Sequence, residues 1–275
     1  MKILILGAKG MLGNYLTREF KNYELYACGK DDINITDKKE VSEKIVEIKP
    51  DFVINAAAYT DVDGAESNQK LAFDVNAEGV KNVAICCKKN DSVLVHVSTD
   101  YVFDGSRDAY DEDAKPKPIN VYGKSKYAGE KYLKLINPPY YLVRASWLYG
   151  SNGKNFVYAI LDLAKKQKEI SVVNDQRGTP TYARDLAAAI RYIIEKKPGF
   201  GTYHRTNDGI CTWFDFAEKI VELKKLNVKI KPMTNDKLDR VAKRPKSAVL
   251  LNTKLPKLRH WEEALKEFLS GVDEH

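Results

Sequence analysis

Cysteine is sparse in this chain: Cys28, Cys86, Cys87 and Cys211 are the four among 275 residues. They show no C-x-x-C spacing and no pairing with histidine, which argues against a zinc site and against a disulfide scaffold. His96, His204, His260 and His275 are too dispersed to read as a ligand set, so no metal is expected. Long apolar runs are missing too. No stretch reaches the length of a bilayer span. The opening MKILILGAKG turns into glycine before its apolar run is long enough for a signal peptide. Low-complexity segments are absent. The formal net charge is +7, but the basic residues are spread along the chain among 38 acidic ones, and the densest basic run, VAKRPK (241–246), is short. A nucleic-acid binder concentrates its basic residues on one face. The expectation is a reduced, cytoplasmic protein with neither nucleic acid nor membrane as partner, and with an anionic small molecule left open.

What is present is apolar material for a sizeable core, 44% of residues, in a regular order. KILILG (2–7), ELYACG (24–29), DFVINAAA (51–58), VLVHVST (93–99) and YYLVRAS (140–146) are short, β-rich and bounded by turns. Between them MLGNYLTREFKN, DKKEVSEKIVEIKP, AFDVNAEGVKNVAICCKKN and SKYAGEKYLKLI carry apolar residues at three- and four-residue spacing, as helices do. Strands alternating with helices predict an α/β fold: a Rossmann-type, doubly wound parallel sheet with ligands at the carboxyl ends of its strands. Beyond residue 147 the rhythm loosens. The expected organisation is a dinucleotide-binding domain over 1–146 and a smaller, mainly substrate-binding portion over 147–275 that lends an element or two back to the first sheet.

Gly7, Gly10 and Gly13 follow the first strand and open the first helix. Such a loop allows a tight turn, a close approach of pyrophosphate to backbone, and close helix–strand packing. The helix N-terminus adds unpaired N–H groups for the phosphates. The G-x-x-G-x-x-G spacing points to the short-chain dehydrogenase/reductase class. The ribose-reading residue should follow the second strand, in CGKDDINITD. Asp31 or Asp32 could accept from a free 2′-hydroxyl, whereas Lys30, helped by Arg18, could pair with a 2′-phosphate. Both readings stay open at this point; NADPH is preferred, with NADH also used.

Tyr122 and Lys126 stand one helical turn apart. An unperturbed tyrosine titrates near pH 10, which makes it a poor proton shuttle at neutral pH unless an ammonium stabilises the tyrosinate. The same lysine can hold the nicotinamide ribose. Ser98 and Thr99 end the fourth strand, where a hydroxyl could polarise a substrate carbonyl. Glycine loop, strand-end hydroxyl and Tyr-x-x-x-Lys in that order point to a reductase.

The stretches STDYVFDG (98–105), PINVYGKSKYAGE (118–130), INAAAYTDVDGAES (54–67), VRASWLYG (143–150), NDQRGTPT (174–181) and KRPKSAVLLNTKL (243–255) resemble the dTDP-4-dehydrorhamnose reductases, nearly from end to end. The resemblance implies hydride transfer from NAD(P)H to C4 of a dTDP-4-keto-6-deoxy sugar. It implies Tyr122 as proton donor, Lys126 as its partner and ribose ligand, and Thr99 as the hydroxyl on the carbonyl. Gly10, Met11 and Leu12 would lie on the pyrophosphate and Asn34 and Ile35 near the adenine, where the family often has Asp in place of Asn. Ala58, Tyr59 and Thr60 would line the cofactor cleft. Asp100 and Trp147 match sugar-contacting positions, Arg144 reads as structural, and Arg244 is the candidate diphosphate contact. Some relatives dimerise through a magnesium ion held by a glutamate. Tyr15 stands at that place here, so neither metal nor that dimer carries over, and monomer and homodimer both remain.

Two rivals share parts of this pattern. A nucleotide-sugar dehydratase would follow its threonine with Asp-Glu, where this chain has Asp100-Tyr101. A non-catalytic dinucleotide-binding subunit, like the β subunit of methionine adenosyltransferase, would need no complete Thr99, Tyr122 and Lys126. A reductase or epimerase of another nucleotide 4-keto sugar would satisfy the same residues.

Overall fold

The first strand, β1 (Lys2–Leu6), has apolar side chains on both faces because both faces are covered. Side chains alternate across a strand: Ile3 and Ile5 enter one apolar cluster, Leu4 and Leu6 another. The computed structural model describes residues 1–271; His275, named above, lies outside them. Around β1 stand β2 (Glu24–Cys28), β3 (Phe52–Asn55), β4 (Val93–Thr99) and β5 (Tyr140–Ala145). β6 (Glu169–Val173), β7 (Gly201–His204) and β8 (Lys229–Met233) come from the second half. The central sheet runs β7-β5-β4-β3-β1-β2, and every pairing in it is parallel. This is the doubly wound α/β sheet expected from the alternation.

On one face α1 (Met11–Glu19), α6 (Ala183–Lys196) and α8 (Trp261–Gly271) bury Leu16, Ile190, Ile193, Leu265 and Phe268 against Ile3, Ile5 and Val143. On the other, α2 (Lys38–Ile48) and α3 (Val80–Lys89) bring Val41, Ile45, Val83 and Cys87 onto Leu4, Leu6 and Leu94. The four cysteines are free and buried, so they serve as small apolar core residues. No helix among the described residues is long and apolar enough to cross a membrane.

Two features escaped the periodicity. The segment read as one helix before α3 contains a π-helical stretch, Asp74–Gly79. Such a bulge adds a residue to a turn and re-aims side chains, often beside a functional site. β8 carries Pro232 and two lysines and resembles a loop in sequence. It pairs with β6 in a separate two-stranded sheet, where an edge position tolerates proline. α5 (Phe156–Lys166) and α7 (Trp213–Leu223) pack beside that sheet.

Candidate active site

α4 (Val121–Ile136) places the Tyr-x-x-x-Lys pair, and its local sequence explains how. Asn120 caps it, its side-chain oxygen accepting from Gly123 N–H at 2.7 Å while its amide donates to the Lys243 carbonyl at 2.8 Å. A Cβ on Gly123 would lie 2.1 Å from the Tyr101 carbonyl oxygen, and one on Gly129 would lie 2.2 Å from that of Asn76. Only glycine lets α4 approach the turn after β4 and the π-helical stretch this closely. Asn76 fastens the contact, donating to the Tyr59 carbonyl and to Ser125 Oγ at 3.0 Å each and accepting from Tyr59 N–H. It is a positioning group that sequence reading passed over; its signal, a π bulge, has no composition.

Behind the pair lies a buried ion pair. Glu130 takes two bonds from Arg144, at 2.9 and 2.6 Å, and one from Ser98 Oγ at 2.7 Å, and both ions are at most 1% exposed. Ser98 is thereby spent on Glu130, and Thr99 is the strand-end hydroxyl that reaches the cleft.

Thr99, Asp100, Tyr122, Lys126 and Trp147 line one cavity of about 470 Å³, together with Gly10, Met11, Leu12, Gly13, Ala58 and Thr60. Burial is the main force on its titratable groups. It raises Tyr122 above the usual phenol range, with Thr99 offsetting part and Asp100 and Tyr101 adding to it. It lowers Lys126 to about 8 against the opposing charge of Glu130. The ammonium donates to the Val97 carbonyl at 2.8 Å and does not figure among the groups acting on Tyr122. Tyr122 is held neutral, the form from which a proton donor must start.

A second cavity, about 300 Å³, shares Gly10, Ala56 and Ala58 with the first and runs on past Gly7, Lys9, Lys30, Asn34, Ile35 and Tyr59. The glycine loop between them fits a dinucleotide. Gly7 has φ +82°, and a Cβ there would meet Ala57 N at 2.7 Å. A Cβ on Gly13 would lie 2.1 Å from the Gly7 carbonyl oxygen. At Gly10 it would meet only one atom, at 3.3 Å, so this position opens onto the cleft. Around the far end, Asp31 and Asp32 turn to Lys9, at 3.1 and 3.6 Å, and Asp32 accepts from Gly29 N–H. Lys9 and Lys30 line the cavity and neither aspartate does. A cationic lining of this kind suits a 2′-phosphate. Arg18, expected to help, lies over the Tyr15 ring instead.

Beyond the reaction centre a third cavity, about 400 Å³, shares Tyr101 and Trp213 with the first and holds Arg240 and Arg244. Arg244 closes its fork on Asp63, at 2.9 and 2.7 Å, which holds that carboxyl below the usual range. Arg240, which the sequence reading did not single out, makes no ion pair among the described residues. Burial and the neighbouring Arg244 pull its pKa down, more than Tyr101 and Asp63 push it up. Trp147 sits at φ +47°, a left-handed conformation unusual for a bulky residue, and stacks on Trp213 with ring centroids 3.5 Å apart. Tyr15 bonds Ser151, at 2.8 Å, and no cluster of potential metal ligands occurs among the described residues.

The whole chain resembles known proteins. Residues 1–273 match the family model described as RmlD substrate binding domain. The spore coat polysaccharide biosynthesis protein SpsK of Bacillus subtilis (strain 168) is 38% identical over 98% of this chain and 96% of its own. The dTDP-4-dehydrorhamnose reductase of Aggregatibacter actinomycetemcomitans is 38% identical over 96% of this chain and 97% of its own. The dTDP-4-dehydrorhamnose reductase of Bacillus anthracis str. Ames, solved in complex with NADP, superposes with a TM-score of 0.95 at 41% identity, covering 98% of each chain.

Proposed function

This chain belongs to the RmlD substrate binding domain family, and from that premise we propose that it reduces dTDP-4-dehydro-L-rhamnose to dTDP-L-rhamnose. It is an NAD(P)H-dependent nucleotide-sugar ketoreductase with NADPH as its cofactor, as the NADP complex of a relative and the Lys9 and Lys30 lining both support; NADH is the lesser donor. One observation carries the reading. Three adjoining cavities that share lining residues lead from the glycine loop, past Thr99, Tyr122 and Lys126, to Trp147 and Trp213 and on to Arg240.

NADPH, when bound, supplies the hydride to C4 of the sugar. Tyr122 delivers the phenol proton to the C4 oxygen, so the ketone gains one hydride and one proton and becomes an alcohol. Thr99 donates to that oxygen and steadies the charge it gathers. Lys126 orients the nicotinamide ribose. Gly7, Gly10, Met11, Leu12 and Gly13 hold the pyrophosphate; Lys30, Asn34, Ile35, Ala58, Tyr59 and Thr60 hold the adenosine side and the cleft wall. Asp100 and Trp147 meet the sugar. At the diphosphate, Arg240 makes the direct contact, and Arg244, fixed by Asp63, shapes the loop that carries it. The enzyme acts in the cytoplasm, as a monomer or homodimer.

The test is oxidation of NADPH by the purified protein with dTDP-4-dehydro-L-rhamnose, beside dTDP-4-keto-6-deoxy-D-glucose, its epimer at both C3 and C5. Turnover with the first and identification of dTDP-L-rhamnose support the reading. Turnover with the epimer alone moves it to another sugar. Tight NADPH binding without turnover of either moves it to a non-catalytic dinucleotide-binding subunit.

A further inference from the structure

Thr99 has one proton to give, and its neighbour Asp100 competes for it with the Tyr122 hydroxyl, which Thr99 also hydrogen-bonds. Thr99 Oγ1 donates to Asp100 Oδ1 at 2.9 Å, while the same oxygen accepts from Tyr101 N–H at 3.2 Å. A hydroxyl whose proton is committed to a carboxylate has none for a ketone. Asp100 is 1% exposed, and its Oδ2 is buried with no hydrogen-bond partner. An ionised carboxylate with an orphaned oxygen in such a place is expensive, whereas the neutral acid is not.

We propose that Asp100 is a positioning residue that works in its protonated form, its proton turning the Thr99 hydroxyl away from Asp100 and toward the substrate carbonyl. With the proton on Oδ1, Asp100 donates to Thr99 Oγ1. That oxygen then accepts from two donors, Asp100 and the Tyr101 N–H, and its own proton is free to point into the cleft. Ionisation of Asp100 reverses the arrangement and recaptures the hydroxyl proton. No covalent bond changes beyond the O–H of Asp100. The inference rests on the role given to Thr99 above.

The charged and titratable groups facing Asp100 are Tyr122 and Lys126 from α4 and Tyr101 from the turn after β4. Arg240, Arg244 and Asp63 lie beyond Tyr101. Burial is the largest influence and lifts Asp100 to about 7, with bonds from Thr99 and the backbone amides of Asp100 and Tyr101 pulling the other way.

The experiment is the pH profile of kcat/KM for the keto sugar at saturating NADPH in wild type, Asp100→Asn and Thr99→Val. Wild type should lose about tenfold per pH unit above a pKa close to 7 in the NADPH-bound enzyme. Asp100→Asn, which cannot ionise, should be slower but lack this alkaline limb, and Thr99→Val should lack it too. A limb near pH 7 that survives in Asp100→Asn, or survives without the Thr99 hydroxyl, overturns the proposal; a limb confined to pH 8 and above belongs to Lys126 and is expected in all three. A second measurement needs no turnover: thermal unfolding of ligand-free wild type and Asp100→Asn from pH 4 to 8. A carboxyl raised in the folded state binds a proton that the unfolded chain releases, so wild type should lose stability relative to the variant as pH rises from about 4 to about 7. A difference of several degrees accumulating in that window is expected. A flat difference means that Asp100 is ionised throughout and sinks the idea, whatever sugar the enzyme takes.

Discussion

At the cofactor end of the groove the chain presents backbone drawn from a few contiguous positions, Gly7 to Gly13, where the missing Cβ atoms matter more than any side chain. At the other end it presents side chains gathered from far apart: Asp63, Tyr101, Trp147, Trp213, Arg240 and Arg244. The first end is fixed by local geometry, and Gly7 and Gly13 tolerate nothing added. The second is held by pairwise contacts, such as Arg244 on Asp63 and Trp147 on Trp213, and should respond to side-chain removal with graded losses. The proposed reaction centre lies where the two meet, so a change confined to it should disturb neither end.

Tyr122→Phe is the sharpest test of that separation and carries the largest expected effect. With Tyr122 as the proposed proton donor, its loss should lower kcat by about a hundredfold or more. NADPH affinity and the KM for the sugar nucleotide should stay within about threefold of wild type, because the ring and its edge-on contact with Tyr101 remain. Steady-state kinetics with direct measurement of NADPH binding decides it. A collapse of KM alongside kcat would mean that the phenol holds the substrate, and the two ends would no longer be separable from the centre.

Next comes the backbone end. Gly13→Ala puts a methyl 2.1 Å from the Gly7 carbonyl oxygen and 2.6 Å from Ala8 Cα, both backbone atoms that cannot swing aside. Overpacking of this kind costs about 1–3 kcal/mol. NADPH affinity should fall about thirtyfold and the melting temperature with it, while the pH dependence of the remaining activity is unchanged. A Gly13→Ala variant that binds NADPH like wild type would break the claim that this end works through backbone fit.

The contrast also explains what could be read from sequence. The strands and helices of the first half follow from alternation and period, and the glycine loop and Tyr-x-x-x-Lys are contiguous, so both stood out. Thr99 was legible because β4 ends there, and Arg144 was read as structural, in keeping with its buried pairing to Glu130. Asn76 was not, because its role depends on a π bulge that no pattern announces. Arg240 and Trp213 were not, because each sits in an ordinary-looking loop or amphipathic helix and acquires its place only when chain far away folds against it. Arg244 was chosen because a guanidinium can grip a diphosphate in two places, and the closed fork on Asp63 could not be inferred from a residue nearly two hundred positions earlier.

Arg240→Ala probes the side-chain end. A charge-assisted bond to diphosphate contributes roughly 1.5–3 kcal/mol, and the third cavity is partly open to water, so the expectation is the low end: KM up about tenfold, kcat within about twofold. Arg244→Lys should raise KM less. A lysine keeps the charge beside Asp63 but loses the fork. If Arg244→Lys proves the worse of the two, the guanidinium paired with Asp63 is the one that meets substrate, and the assignment of the two arginines is exchanged.

The smallest expected effect separates the two cofactors. Lys30 lines the adenosine-side cavity and makes no ion pair among the described residues, whereas Lys9 beside it is held by Asp31 and Asp32. An exposed cation contributes at most about 1 kcal/mol to an anion. Lys30→Ala should therefore weaken NADPH about threefold, leave NADH unchanged, and do so less at high salt, where exposed charges are screened. Equal loss of both cofactors would place Lys30 on the adenine or the pyrophosphate rather than on the 2′-phosphate. No loss of either would leave Lys9 as the phosphate cation, its two aspartates yielding when the phosphate arrives; Lys9→Ala should then carry the NADPH-specific effect that Lys30→Ala lacks.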